Sequence, residues 1–175
     1  MTYAKSEWTI IDIHAHAFPD AVAEKAMPLL EAEADLKAAL DGKVSSLLAS
    51  MDRAGIDVSV VASIATKPGQ YDAILSWSKS IASGKLMPFP SVHPEDSDVP
   101  GRVRAIADAG FRGIKMHPYY QDFKIDEDRL WPFYKAVCDE GLVLLMHTGF
   151  DIAYPHIRVA DPVRTVHLMG NRYWS

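Results

Sequence analysis

The sequence predicts an α/β protein built on a parallel sheet, and three observations carry that prediction. Apolar runs of strand length recur along the chain, stretches with helical spacing separate them, and four helices close on a glycine just before the next strand. Alternation of this kind builds βαβ units, whose parallel strands are covered by helices.

The elements follow in order. The first strand is WTIIDIHAH (8–16). The region 17–43 comes next, with FPDAVAEKAMPLLEAEADLKAAL acidic and partly helical in period. It reads either as a lid or substrate wall over the strand ends or as a solvated surface helix. Val44, Leu47, Leu48 and Met51 stand at i, i+3, i+4 and i+7, one face of a helix that stops at Gly55. The second strand is DVSVVASIAT (57–66), followed by a helix marked by Ile74, Trp77 and Ile81 and closed by Gly84. The third strand is LMPFPSVH (86–93), with Val103, Ile106 and Ala107 marking the helix before Gly110. FRGIKMH (111–117) is the fourth strand, and Leu130, Phe133, Tyr134 and Val137 mark the helix before Gly141. LVLLMHT (142–148) is the fifth. Several strands are apolar on both faces, as strands covered on both sides must be.

Composition narrows the classes. The chain has 175 residues, 49% hydrophobic and 23% charged, which is ordinary for a globular domain able to bury a core. A net charge of −5 offers no basic footprint for nucleic acid and no polybasic anchor for a membrane. No apolar run approaches the roughly 18 residues that span a bilayer. The N-terminal MTYAKSEWTI has no export signal, and the single cysteine, Cys138, suits a reducing cytoplasm. Cys138 falls inside a helical pattern and reads as a small buried hydrophobe.

The polar groups decide between an open doubly wound sheet and a (β/α)8 barrel. His14 and His16, His93, Lys115 and His117, and His147 each stand at the C-terminal end of a strand, where barrels build active sites. No glycine-rich phosphate loop follows the first strand. Residues i and i+2 share a strand face, so Asp12, His14 and His16 project together and both imidazoles can reach one divalent ion. The alternative is a strand end with hydrogen-bonded histidines. His147 closes the fifth strand at the same edge, as a third ligand or as a core histidine bonded to a carbonyl. Lys115, with Gly113 and His117 on its face, points into the interior. A lysine there needs an anion or chemical modification, so it reads as a carbamate bridging two metals or as a holder of a substrate carboxylate. His93, beside Pro94, reads as a strand cap or a further site residue. Tyr119 and Tyr120 line the pocket in this reading, and Arg158, after the fifth strand, clamps a substrate carboxylate. His167 reads as a surface residue.

With DIHAHAFPD, MDRAGID, the long run AGFRGIKMHPYYQDFKIDEDRLWPFYKAVCDEGLVLLMHTG and DPVRTVHLM in view, the chain resembles the amidohydrolase superfamily. More narrowly it is similar to the amidohydrolase-2 group, related to aminocarboxymuconate semialdehyde decarboxylase. The resemblance implies a TIM barrel of the metallo-dependent hydrolase type, with one or two divalent ions, most often zinc. It implies His14, His16 and His147 as metal ligands and sets Lys115, read as a catalytic residue, on the strand that carries the carbamylated lysine of binuclear members; His117, Tyr119 and Arg158 are read from their positions as contacts for a small-molecule substrate, such as a carboxylate. The implied reaction is hydrolysis of an amide, ester or lactone by metal-activated water. Two alternatives stand beside it: a related non-oxidative decarboxylation, and an inactive fragment serving as a metal-binding or interaction module. Family members carry a further histidine on strand six and an aspartate after strand eight, and a full barrel takes about 250 residues. The sequence therefore predicts a partial barrel, strands one to five with their helices, as one domain over 1–175 lacking strands six to eight. Apolar edges at strands one and five then predict a homo-oligomer.

Overall fold

The computed structural model describes residues 8–170. The MTYAKSE start and the NRYWS end of the sequence lie outside the described residues. The order is β1 (Ile11–Ala15), α1 (Asp20–Ala34), α2 (Val44–Ala54), β2 (Val58–Ala62), α3 (Tyr71–Ile81), β3 (Leu86–Phe89), α4 (Val99–Asp108), β4 (Gly113–Met116), a 3₁₀ turn at Asp128–Leu130, α5 (Trp131–Asp139), β5 (Val143–Met146) and α6 (Pro162–Met169). All strand pairs are parallel, as the alternation predicts.

The strands form two ladders, β1-β2-β3 and β4-β5. Prolines explain the break. Ser59 N donates to Lys85 O and Ser63 N to Phe89 O, so the odd-numbered residues of β3 face β2. Pro88 and the following Pro90 are on the other parity and face β4, and neither has an N–H to give. One bond bridges the gap, from Lys115 N to Pro90 O at 2.8 Å. The five strands thus run in sequence order around part of a barrel.

β1 departs from simple alternation. Asp12 pairs with Ser59 but Ala15 with Val61, so three steps on β1 match two on β2. The extra residue falls around Ile13 and His14 and is a β-bulge, a device that re-aims side chains beside sites.

Two cores hold the helices down. The larger lies behind β4 and β5, where Ile114 and Met116 meet Val103, Ile106, Phe133, Tyr134, Val137 and Leu168. The smaller joins Ala15 and Val61 to Leu47 and Met51 of α2. The strand edges are apolar and open: Ile11 is 53% exposed, Ile13 56% and Val143 53%.

Two local expectations need correction. Gly55, Gly110 and Gly141 take the left-handed conformation after their helices, but Gly84 does not. α3 ends earlier, at Ala82, whose extended backbone turns the chain out of the helix without a glycine. Cys138 is exposed, not buried. Phe133, Tyr134, Ala136 and Val137 take the inner face of α5, and Cys138 lies about 100° round from Val137. No helix among the described residues is long and apolar enough to cross a membrane.

Candidate metal centre

The strand ends bring the predicted residues into two groups. The first is His14, His16 and Lys115. Asp12 Oδ1 accepts from His14 N at 3.0 Å, which shapes the bulge. His16 Nδ1 lies 2.9 Å from Ala62 O. A carbonyl only accepts, so Nδ1 carries the proton and Nε2 of the neutral ring is a lone pair. That Nε2 lies 3.1 Å from His14 Nε2. Lys115 Nζ donates to the same His14 nitrogen at 3.1 Å. With the Lys115 ammonium as the donor to His14, the two Nε2 lone pairs converge on one spot, an arrangement that suits a cation between them.

Lys115 is fully buried on the interior face, while its neighbours Ile114 and Met116 fill the core behind the sheet. Burial pushes its ammonium down to about 8. Burial, and then the charge of His14, pushes His16 down to about 4. His16 faces the open side of the strand array and is exposed by surface area, so water moderates that shift. Gly113, below Lys115 on the same face, leaves room for the Phe89 ring, with which a Cβ there would collide.

The second group is His117, His147 and Asp151, whose ligand atoms all lie within 4.8 Å of one another. It is the one such His/Cys/Asp/Glu group among the described residues. Strand register makes it: Met116 pairs with Met146, so the next residues, His117 and His147, stand side by side. Their rings stack at 4.2 Å between centroids. Asp151 Oδ2 is 3.5 Å from His117 Nε2, while its Oδ1 accepts from Ala153 N at 2.9 Å. Burial, followed by the charges of His147, Lys115 and His16, pushes His117 down to about 3, so its ring is neutral. His147 Nε2 makes one long contact, 3.3 Å to Phe150 O.

The structure thus sets His147 against His117 and Asp151, while His14 and His16 meet at the Lys115 ammonium. The approach of Asp151 to His117 is a finding of the structure alone. Gln121 was missed altogether. Its Oε1 accepts from His117 N at 2.7 Å, and its amide donates to Val92 O at 2.8 Å and Ala65 O at 3.1 Å. It ties the ends of β2, β3 and β4 together behind the site. The available signal was its place four residues after His117 in HPYYQ.

The remaining predicted residues have other surroundings. Tyr119 is buried and donates its hydroxyl to Gly149 O at 2.7 Å, pinning the loop after β5. Arg158 is exposed and lies over the Phe150 ring at 3.9 Å. His93 is buried, with Nδ1 accepting from Glu95 N at 3.2 Å, so it caps the turn after β3. His167 is a surface residue near Asp126. α1 lines one side of an open cleft of about 180 Å³, where Met27, Leu30, Glu33 and Leu36 stand opposite Tyr120 and Ile152. Tyr120 connects this cavity to the site, its ring 4.4 Å from that of His117.

Comparison with known proteins points one way. The family model described as amidohydrolase matches residues 11–170. A search of curated proteins gives no match. Among solved structures, 5-carboxyvanillate decarboxylase from Sphingomonas paucimobilis aligns with a TM-score of 0.55 and 16% identity, covering 80% of this chain and 52% of that one. Metarhizium anisopliae IDCase in its apo form aligns at 0.59 and 16%, covering 83% and 52%. The 5-carboxyvanillate decarboxylase of Novosphingobium aromaticivorans, complexed with manganese and 4-hydroxy-3-methoxy-5-nitrobenzoic acid, aligns at 0.58 and 16%, covering 94% and 56%. The chain spans about half the length of these structures. At such identity the likeness establishes the fold, a partial (β/α)8 barrel.

Proposed function

The chain belongs to the amidohydrolase-2 family, and on that footing we propose that it is a metal-dependent hydrolase acting on an amide, ester or lactone. The observation that carries this reading is the convergence of the His14 and His16 Nε2 atoms at 3.1 Å, beside the buried Lys115. His14 and His16 hold a divalent metal in this proposal, zinc by the chemistry of imidazole donors, and His147 completes the set by turning from His117. When bound, such an ion polarises a scissile carbonyl and lowers the pKa of a coordinated water toward neutrality.

The chain's own residues do the rest. The Ala62 carbonyl keeps His16 in the tautomer that presents Nε2. Asp12 fixes the bulge that turns His14 toward it. Lys115 places a cationic group at the floor of the site, where it holds a substrate carboxylate or developing negative charge. Its neutral form is also the form that carbon dioxide converts to a carbamate. The cavity between α1 and Tyr120 takes the remainder of the substrate, and Met27, Leu30 and Leu36 favour an apolar group there. The domain we assign is the single amidohydrolase-like unit of 1–175.

Decarboxylation is the second reading, favoured by the two solved neighbours named as decarboxylases. One experiment separates the two. Chelator-treated protein, reloaded with zinc or manganese, is assayed on a panel of esters, lactones and amides and on aromatic carboxylates. Metal-restored hydrolysis is the expected result. Release of carbon dioxide without hydrolysis supports the second reading, and no turnover on either panel contradicts both.

A further inference from the structure

We infer that His117, His147 and Asp151 form a second divalent-metal position, at the β4–β5 edge, that holds an ion without His14 or His16. This goes beyond the proposed function: the two positions share His147, which serves this one in its present orientation, stacked on His117, and the His14/His16 pair only when turned away.

Three observations support it. The ligand atoms already lie within 4.8 Å of one another, so small side-chain rotations bring all three onto one ion. Two imidazoles and a carboxylate with an open side are a common ligand set for zinc, iron and manganese, in which three protein ligands leave a position for water or substrate. His117 is the independent sign. It is 5% exposed, its Nδ1 has no hydrogen-bond partner among the described residues, and Asp151 stands 3.5 Å from its Nε2, too far for a good hydrogen bond. Buried polar atoms are ordinarily satisfied, and an unsatisfied imidazole in a converging set asks for a ligand.

The surroundings hold these residues as a metal site requires. Gln121 Oε1 fixes the His117 backbone, and Gln121 is itself buried and bonded to three strand ends. Ala153 N occupies Asp151 Oδ1 and leaves Oδ2 facing His117. His147 N is bonded to Met116 O at 3.1 Å, so β4 and β5 cannot slide apart at this point. Asp151 supplies the negative charge that offsets an ion in a site bordered by Lys115.

The test uses the full chain, stripped of metal and titrated with Zn²⁺ by calorimetry. The His14→Ala/His16→Ala variant is expected to bind one Zn²⁺, and adding Asp151→Asn is expected to weaken that binding by about tenfold or more. Asparagine keeps an oxygen for Ala153 N, so the loop stays capped. A second readout needs no change at Asp151: Mn²⁺ added to the double variant should broaden the His117 and His147 ring signals in the NMR spectrum. A double variant that binds no Zn²⁺, unbroadened rings, or Asp151→Asn without effect would overturn the second position. A double variant with the wild type's affinity and stoichiometry counts instead against His14 and His16 as ligands, so the two claims fail separately.

Discussion

The two ends of the strand array contrast sharply. The β4–β5 end rests on the larger core, with Ile114, Met116, Phe133, Tyr134 and Val137 buried behind it. The β1 end rests on a small core around Ala15, Leu47 and Met51, and its Ile11 and Ile13 are more than half exposed. Yet β1 carries the histidine pair with the best ligand geometry. Stability and chemistry are therefore unevenly divided, with β4–β5 as the scaffold and β1 as the more loosely held arm that brings His14 and His16 to Lys115.

The largest expected effect lies in the scaffold. Phe133→Ala should cost about 3–5 kcal/mol, as large-to-small changes in a packed core do, against less than about 1 kcal/mol for Ile11→Ala on the exposed edge. Urea denaturation measures both, and equal losses would break the contrast. Gly113→Ala is next, at about 1–3 kcal/mol, because the new Cβ collides with Phe89. Phe89→Leu in the same chain should restore part of that loss, and a purely additive double variant would show that the collision is not the cause.

Much of this layout was legible in the sequence. Helical spacing located α2 to α5, and the recurrence of histidines and Lys115 at strand C-terminal ends foretold that these side chains gather at one end of the strands. Three things were not legible, for physical reasons. The bulge near His14 depends on how β1 pairs with β2, which alternation within one strand does not encode. The meeting of His117 with His147 depends on the β4–β5 register, and the pairing with Asp151 on the path of the loop held by Tyr119. The split between the two ladders was in principle readable, since Pro88 and Pro90 remove donors from one side of β3.

A smaller effect follows from the histidines. His117 and His16 sit below the ordinary 6.5 in the folded chain, near 3 and 4. Below about 6.5 the unfolded chain binds more protons than the folded one, so metal-free protein should lose stability as pH falls from there. Above that window these two groups contribute no pH dependence. His117 faces His147, Lys115, His16 and Asp151 and is nearly enclosed, so it should supply the larger share, with His16 exposed to water. Melting temperatures at pH 8, 6 and 5 read this directly. His117→Asn should flatten the profile more than His16→Asn, and the reverse order would invert the comparison.

The most direct test of the account is the Zn²⁺ affinity of metal-stripped wild-type protein beside that of His14→Ala/His16→Ala. The account predicts a loss of about tenfold or more in the double variant, with a loss of urea stability smaller than that of Phe133→Ala because both side chains stand on the open side of the strands. Equal affinity in the two proteins would contradict the claim that the β1 pair holds the metal.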